Sequence, residues 1–181
     1  MLDMSGNSAL TLTETAFQET PYLEEIYLNA MQLGTTTPPN VFKTLKFLRL
    51  LNLESNGITG ELIEDLINPV LNPITSLSFN NNKITQIHHL AITGMKASGT
   101  VHLRNNKIEY LHQANWETLV TQLNTAGAID VRDNPLVCGC DVKWLVFDKD
   151  LMAAFHIDTT CATGNKLAEL PQDWFLDHCL S

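Results

Sequence analysis

The first 42 residues contain five acidic side chains and no Lys or Arg. Elsewhere the charges are dispersed: residues 43–140 hold eight of each sign, and residues 141–181 hold seven acids against three bases. A net charge of −9 without a basic stripe argues against nucleic acid or an anionic membrane surface as a partner. No apolar run approaches the roughly 20 residues of a membrane span. The start lacks the basic segment, apolar core and cleavage site of a secretory leader. No N-x-[ST] sequon occurs despite 16 Asn, so ordinary N-glycans are not expected. A phosphate-binding loop, an H-E-x-x-H pair and a nucleophile elbow are also missing. The six histidines, His88, His89, His102, His112, His156 and His178, are scattered. Adjacent residues such as His88-His89 rarely ligate one metal together. Glu24-Glu25 and Glu64-Asp65 read as solvated faces. The expectation is a protein that is not an enzyme and needs no cofactor or metal.

What the chain does have is a recurring phrase. Its clearest copy is Ser98–Ile108, where Val101, Leu103, Asn106 and Ile108 fit the frame L-x-x-L-x-L-x-x-N-x-L. Leu48, Leu51, Leu53, Asn56 and Ile58 fill the same frame, as do Ile74, Leu77, Phe79, Asn82 and Ile84. Ala126, Ile129, Val131, Asn134 and Leu136 make another copy. Leu23, Ile26, Leu28 and Leu33 fit with Met31 in the Asn slot, and the chain opens inside a copy at Leu2, Met4, Asn7 and Ala9. Successive Asn slots are separated by 24, 25, 26, 24 and 28 residues. This is the leucine-rich repeat signature.

The residue types follow from the geometry such a repeat needs. In a short strand, alternate side chains share one face. One strand cannot bury that face, so copies must stack. The expected fold is an α/β solenoid: a curved parallel sheet of about six short strands, with loops and short helices on the convex side. Neighbouring strands about 4.8 Å apart give a span of roughly 25 Å. The Asn amide, carrying both donors and an acceptor, satisfies backbone groups where the chain leaves the strand. Met31 cannot, which predicts an irregular turn there. Spacing predicts helices over Leu62–Leu71 and Trp116–Leu123. Phe17, Phe42 and Trp116 occupy similar places and could stack as an aromatic spine. Pro38-Pro39, Pro69 and Pro73 interrupt hydrogen bonding in the other returns. Because Leu2 and Met4 already sit in register with nothing capping them, the expectation is a fragment whose leader and N-terminal cap are missing, with or without further repeats. The structural alternative is self-association through that uncapped N-terminal edge.

Cys138, Cys140, Cys161 and Cys179 all lie in the last 44 residues. Four cysteines allow three pairings. Cys138 and Cys140 are too close for an easy mutual bridge, so each is expected to reach a distant partner. Zinc ligation usually shows paired C-x-x-C spacing, which is absent. A catalytic cysteine beside His178 remains as a further reading. Disulfides imply an oxidising compartment and would tie a lid over the open end of the core.

The stretch Asn134-Pro-Leu-Val-Cys-Gly-Cys-Asp-Val-Lys-Trp-Leu-Val, followed by Cys161 and Cys179, resembles the C-terminal cysteine-rich cap of extracellular leucine-rich repeat proteins. The resemblance implies the pairs Cys138–Cys161 and Cys140–Cys179, with Leu136 where that family usually has Trp. It divides the chain into repeats over 1–133 and a cap over 134–181. Thr118–Val146 and the ending Leu170-Pro-Gln-Asp-Trp-Phe-Leu-Asp-His-Cys179 are further similar to secreted leucine-rich repeat proteins of arthropods, especially crustaceans. That group includes the non-catalytic subunit of a shrimp luciferase. The similarity implies secretion and a non-catalytic role.

The frame also says which side chains face outward on the concave sheet. One column reads Asp3, Tyr27, Asn52, Ser78, His102, Asp130. The next reads Ser5, Asn29, Glu54, Asn80, Arg104, Arg132. A third adds Glu25, Leu50, Ser76, Thr100 and Ala128. Tyr27, Asn52, Glu54, Asn80, His102, Arg104 and Arg132 are the candidate binding residues. Arg104 and Arg132 could anchor an acidic group or be spent on Asp130 and Asp133. The expected function is a secreted recognition module that binds a protein or glycan partner through this face. The rival expectation is a stabilising, non-catalytic subunit of a secreted enzyme such as a luciferase.

Overall fold

A computed structural model describes residues 1–8, 10–34, 40–68 and 71–179. Its strands are β1 (Leu2–Asp3), β2 (Glu25–Tyr27), β3 (Leu50–Asn52), β4 (Thr59–Leu62), β5 (Ile74–Ser78), β6 (Lys83–Ile87), β7 (Met95–His102) and β8 (Ile129–Asp130). Its α-helices are α1 (Gln113–Gln122), α2 (Lys143–Val146), α3 (Lys149–Ala153) and α4 (Gln172–His178). Six strands form one parallel sheet in the order β1-β2-β3-β5-β7-β8. Ile26, Leu51, Leu77, Val101 and Ile129 are cross-strand partners along it, and each is at most 1% exposed. Two residues on, Leu28, Leu53, Phe79, Leu103 and Val131 are all fully buried. The period-two apolar pattern thus delivers two stacked columns to one core.

Each strand is short because the chain turns away immediately after it, and the turn repeats. The residue before every Asn slot (Gly6, Ala30, Ser55, Asn81, Asn105, Asp133) is left-handed, with φ between 54° and 77°. That bend aims the Asn inward, where its amide stitches two repeats. Asn106 Nδ2 donates to Leu103 O of its own repeat (2.9 Å) and to Phe79 O of the preceding one (3.0 Å), while its Oδ1 accepts Ile84 N at 3.0 Å. Asn82 and Asn134 bond in the same way. Met31 is fully buried and contributes no amide, but Asn56 Oδ1 reaches back to accept its N–H at 2.8 Å. The irregular turn expected at Met31 does not form: Ala30 and Gln32 (φ 56° and 59°) are left-handed just as Ser55 and Gly57 (57° and 70°) are around Asn56, with Gln32 standing where the next repeat has glycine.

The outer returns meet expectation in one place and depart from it in two. Trp116–Leu123 is helical, within α1 and its C-cap. No helix forms over the described part of Leu62–Leu71. Leu62 instead ends β4, which pairs in parallel with β6, and Ile67 bridges Ile92. Adjacent returns run side by side, so their backbones find partners in each other. The prolines at 38, 39 and 69, like Ala9, lie outside the described residues. The aromatic spine is split. Phe17 stacks on Phe42 with centroids 5.9 Å apart, whereas Trp116 packs on Phe155 at 6.1 Å. Aliphatic Ile67 and Ile92 are buried in the intervening returns. Between Ile74 and Ser76 the register against β7 shifts, and Gly99 sits at that irregularity. A Cβ on Gly99 would lie 2.9 Å from Lys96 O and 3.0 Å from Ile74 O, so only glycine lets these backbones approach.

Beyond β8 the chain covers the sheet's edge. Ile129 N donates to Ala154 O (2.8 Å) and His156 N donates to Ile129 O (2.9 Å). Trp144 Nε1 donates to Leu111 O at 2.8 Å, and α4 buries Phe175. The disulfides are Cys138–Cys161 and Cys140–Cys179, as the family resemblance implied. Each closes a loop worth about 3–4 kcal/mol in the chain-entropy picture. At the opposite end β1 has no further strand beside it among the described residues.

Candidate interaction surface

Register brings the sequence-derived columns together. Tyr27 pairs with Asn52, Asn52 with Ser78, Ser78 with His102, and His102 with Asp130. Glu25, Leu50, Ser76 and Thr100 form the parallel column two residues earlier. Tyr27, Asn52 and His102 are half-buried, with inward-facing core residues on either side of each. Glu54, Asn80, Arg104 and Arg132 follow two residues later, where the strands end. All seven candidate residues therefore share the sheet's solvent face.

Side chains across the face are locked to one another. Glu54 Oε1 accepts Ser78 Oγ–H at 2.5 Å and Asn80 Nδ2 at 3.0 Å, while Asn80 Oδ1 accepts Arg104 N at 2.8 Å. Ser5 Oγ donates to Asn29 Oδ1 at 2.6 Å. Asn52 and Asp130 each accept the N–H two residues on, those of Glu54 (2.9 Å) and Arg132 (3.1 Å). Such cross-bonding fixes rotamers before any partner arrives, which lowers the ordering cost of binding. Apolar content is small, with Tyr27 and Leu50 as the main contributors.

Both arginines are already paired. Arg104 Nε bonds Asp133 Oδ2, and Arg132 forks onto Asp130 with contacts of 2.9 and 2.7 Å. Burial pushes the Asp130 carboxyl upward, but the Arg132 hydrogen bonds and charge, with His156 assisting, outweigh it and hold Asp130 below its ordinary value. Arg132 is raised in turn, first by its hydrogen bond to Asp130. At the other end the Ser5 hydroxyl and N–H hold Asp3 low. Arg49 bridges Glu24 (3.0 Å) and Glu25 (2.5 Å) on the neighbouring strand. Exposed pairs of this kind add little stability, but they leave less free charge for a partner. No group of three or more metal-ligating side chains is gathered among the described residues.

Sequence reasoning passed over one feature near this face. Tyr22, 79% exposed, stacks on Phe47 with centroids 5.5 Å apart. The signal was available, because each ring immediately precedes the first leucine of its repeat, Leu23 and Leu48. His156 and Asp158 were also missed. They approach Asp130 and Arg132 from the C-terminal segment, and their distance in sequence concealed it.

A parallel sheet of one short strand per repeat, stitched by inward asparagines, defines a leucine-rich repeat solenoid, and a Leucine Rich Repeat family model matches residues 47–69. The chain therefore has the leucine-rich repeat fold. It is 29% identical over 153 residues to P-granule-associated novel protein 1 of Caenorhabditis elegans, covering 80% of this chain and 25% of that protein. It is 28% identical over 166 residues to the non-catalytic subunit of Oplophorus-luciferin 2-monooxygenase from Oplophorus gracilirostris, covering 91% of this chain and 44% of that protein. The chain thus spans less than half the length of these relatives. Among solved structures it resembles human trophoblast glycoprotein (Wnt-activated inhibitory factor 1), with 17% identity, a TM-score of 0.41, and coverage of 95% of this chain and 86% of that one. Among the described residues no helix is long and apolar enough to cross a membrane.

Proposed function

We propose that the chain is a secreted, non-enzymatic recognition module whose concave sheet face binds a protein or glycan. The observation that carries this reading is the continuous polar face itself. Tyr27, Asn52 and His102 lie in one register column, and Glu54, Asn80 and Ser78 are pre-ordered beside them by mutual hydrogen bonds. Planar amides, a carboxylate and a tyrosine ring, already fixed, suit a hydroxyl-rich or polar partner better than a large dry interface. Residues 1–133 present this face in our reading, and residues 134–181 seal the core. The two disulfides support an extracellular setting. The deciding experiment is capture from the source organism's secretions on the immobilised chain, repeated with Tyr27→Ala plus His102→Ala. Loss of about tenfold or more in affinity is expected. Retention of full binding by this folded variant would move the site elsewhere. Arg104→Glu with Arg132→Glu should also weaken capture of an acidic partner, after allowing for the lost pairs with Asp133 and Asp130.

A second reading has one specific observation behind it, the 28% identity to a non-catalytic luciferase subunit over 91% of this chain. In that reading the chain stabilises a secreted catalytic partner. Co-purification of a stoichiometric catalytic chain would favour it, and a free native monomer would count against it. Self-association through β1 is a third arrangement, read out by sedimentation with and without Asp3→Pro at that edge.

A further inference from the structure

At the far end of the sheet, helix α3 buries none of its five residues. Beside it runs an open groove of about 530 Å³, bounded on the other sides by the turn before β8 and by residues 155–157 and 167–168. None of the seven face residues lines it. Its wall is mostly apolar. Phe155 and Leu167 are buried, Met152 is half-buried, and Ile157 stands at the lip 67% exposed. A recess of about 90 Å³ shares Lys149, Met152 and Leu167 with the groove and continues against Leu145 and Leu170. The volume falls in the range of small-molecule sites, which combine apolar walls with a few polar anchors.

The polar groups at the rim have one sign. Lys149 has no ion pair or side-chain hydrogen bond among the described residues. His156 Nδ1 accepts Asp158 N at 3.1 Å, which places the ring proton on Nε2 as a donor with no partner. Of the neighbouring carboxylates, Asp148 and Asp158 are engaged elsewhere, and Asp150 lines a separate hollow beside Val120 and Leu151. Asp148 caps α3 by accepting Asp150 N (3.0 Å) and Leu151 N (3.1 Å), and Asp158 pairs with Lys166 at 3.1 Å. An unpaired ammonium and an imidazole N–H therefore border an apolar trough that would otherwise expose Met152 and Ile157 to water.

We propose that this groove is a binding site for a small anionic amphiphile, a carboxylate on a hydrocarbon tail. The carboxylate lies between Lys149 and His156, and the tail runs over Met152 towards Leu145 and Leu170. The site is independent of whatever the sheet face binds. The test uses decanoate as probe, with decyltrimethylammonium as the opposite-charge control, followed by NMR of the methionine methyls and histidine rings of the oxidised chain. Decanoate should shift Met152 and His156 saturably, and the cationic probe should not. Lys149→Glu puts an acid in the first turn of α3, where the helix tolerates it, and should weaken decanoate about tenfold. Ala168→Trp should fill the groove and abolish the Met152 shift, with retained disulfides and melting temperature confirming the fold. Three outcomes would overturn the proposal: equal binding of the two probes, shifts confined to Met1 and Met4 beside β1, or undiminished affinity in Lys149→Glu.

Discussion

The two ends of the solenoid are built from the same phrase and held differently. Towards the C-terminus, the amides of Asn82, Asn106 and Asn134 each reach carbonyls of two repeats. Towards the N-terminus, Asn7 is exposed, and among the described residues its side-chain amide bonds Met4 O (2.7 Å) and Ser5 O (3.4 Å) of its own repeat. Met31 supplies no amide to bridge the gap. The asparagine thus does more than close its own turn, since it transmits order from one repeat to the next. Where the series breaks, the first two repeats are joined by strand pairing, apolar contact and the Ser5–Asn29 side-chain bond, with no buried amide between them. The C-terminal segment adds two covalent ties and a backbone edge on β8.

The largest test of this contrast is reduction. Removing both disulfides, by reductant or by serine at the four positions, should cost about 3–4 kcal/mol per bridge. Hydrogen exchange should then quicken first at residues 154–156 and β8. An unchanged melting curve would remove the covalent end from the comparison. Next comes Asn106→Ala against Asn7→Ala. The first leaves Ile84 N unpaired in the interior and takes one of two amide donors from Leu103 O and from Phe79 O, costing about 1–3 kcal/mol, whereas the second should cost less than about 1 kcal/mol because water replaces the bonds. Equal losses would show that the asparagines act only within their own repeats.

A smaller effect should appear in acid. Asp130 and Asp3 both titrate below their ordinary values. A carboxyl lowered by folding contributes fully above its unfolded value, about 3.9. That contribution fades as pH falls through the folded value. Asp130→Asn should therefore flatten the acid limb of thermal stability more than Asp3→Asn, because Asp130 is buried with its arginine and Asp3 is fully exposed. The smallest change is Met31→Asn. It exchanges buried thioether surface for the missing amide bonds, so stability should stay within about 1 kcal/mol. Amide exchange around Asn7 should nevertheless slow, and no slowing would mean that the break at Met31 is not what loosens the first repeat.

The parts of this molecule legible in sequence are those set by short-range periodicity. Val101, Leu103 and Asn106 announce a strand, its inward face and its turn within six positions, so the sheet register and the outward columns could be read directly. The returns were harder. Leu62, Leu66 and Ile67 carry helix-like spacing, yet Leu62 pairs with Ile87 and Ile67 with Ile92, a choice made by neighbours 25 residues away. Trp116 was visible as core, but its partner Phe155 is not near it in sequence. The candidate site was legible as positions and less so as chemistry. The frame placed Arg104 and Arg132 on the face, but only the folded chain shows both engaged by Asp133 and Asp130. The groove beside α3 had no sequence signature, because it is assembled from four separate segments.

The turn-forming bend recurs once per repeat while the length between bends varies from 24 to 28 residues. All of that variation is absorbed on the outer side. The sheet therefore works as a ruler whose marks stay about 4.8 Å apart, whatever handle is attached behind each one. Loops lengthened at the back would leave the graduations untouched, and a partner with a commensurate repeat along its own length could be gauged against them.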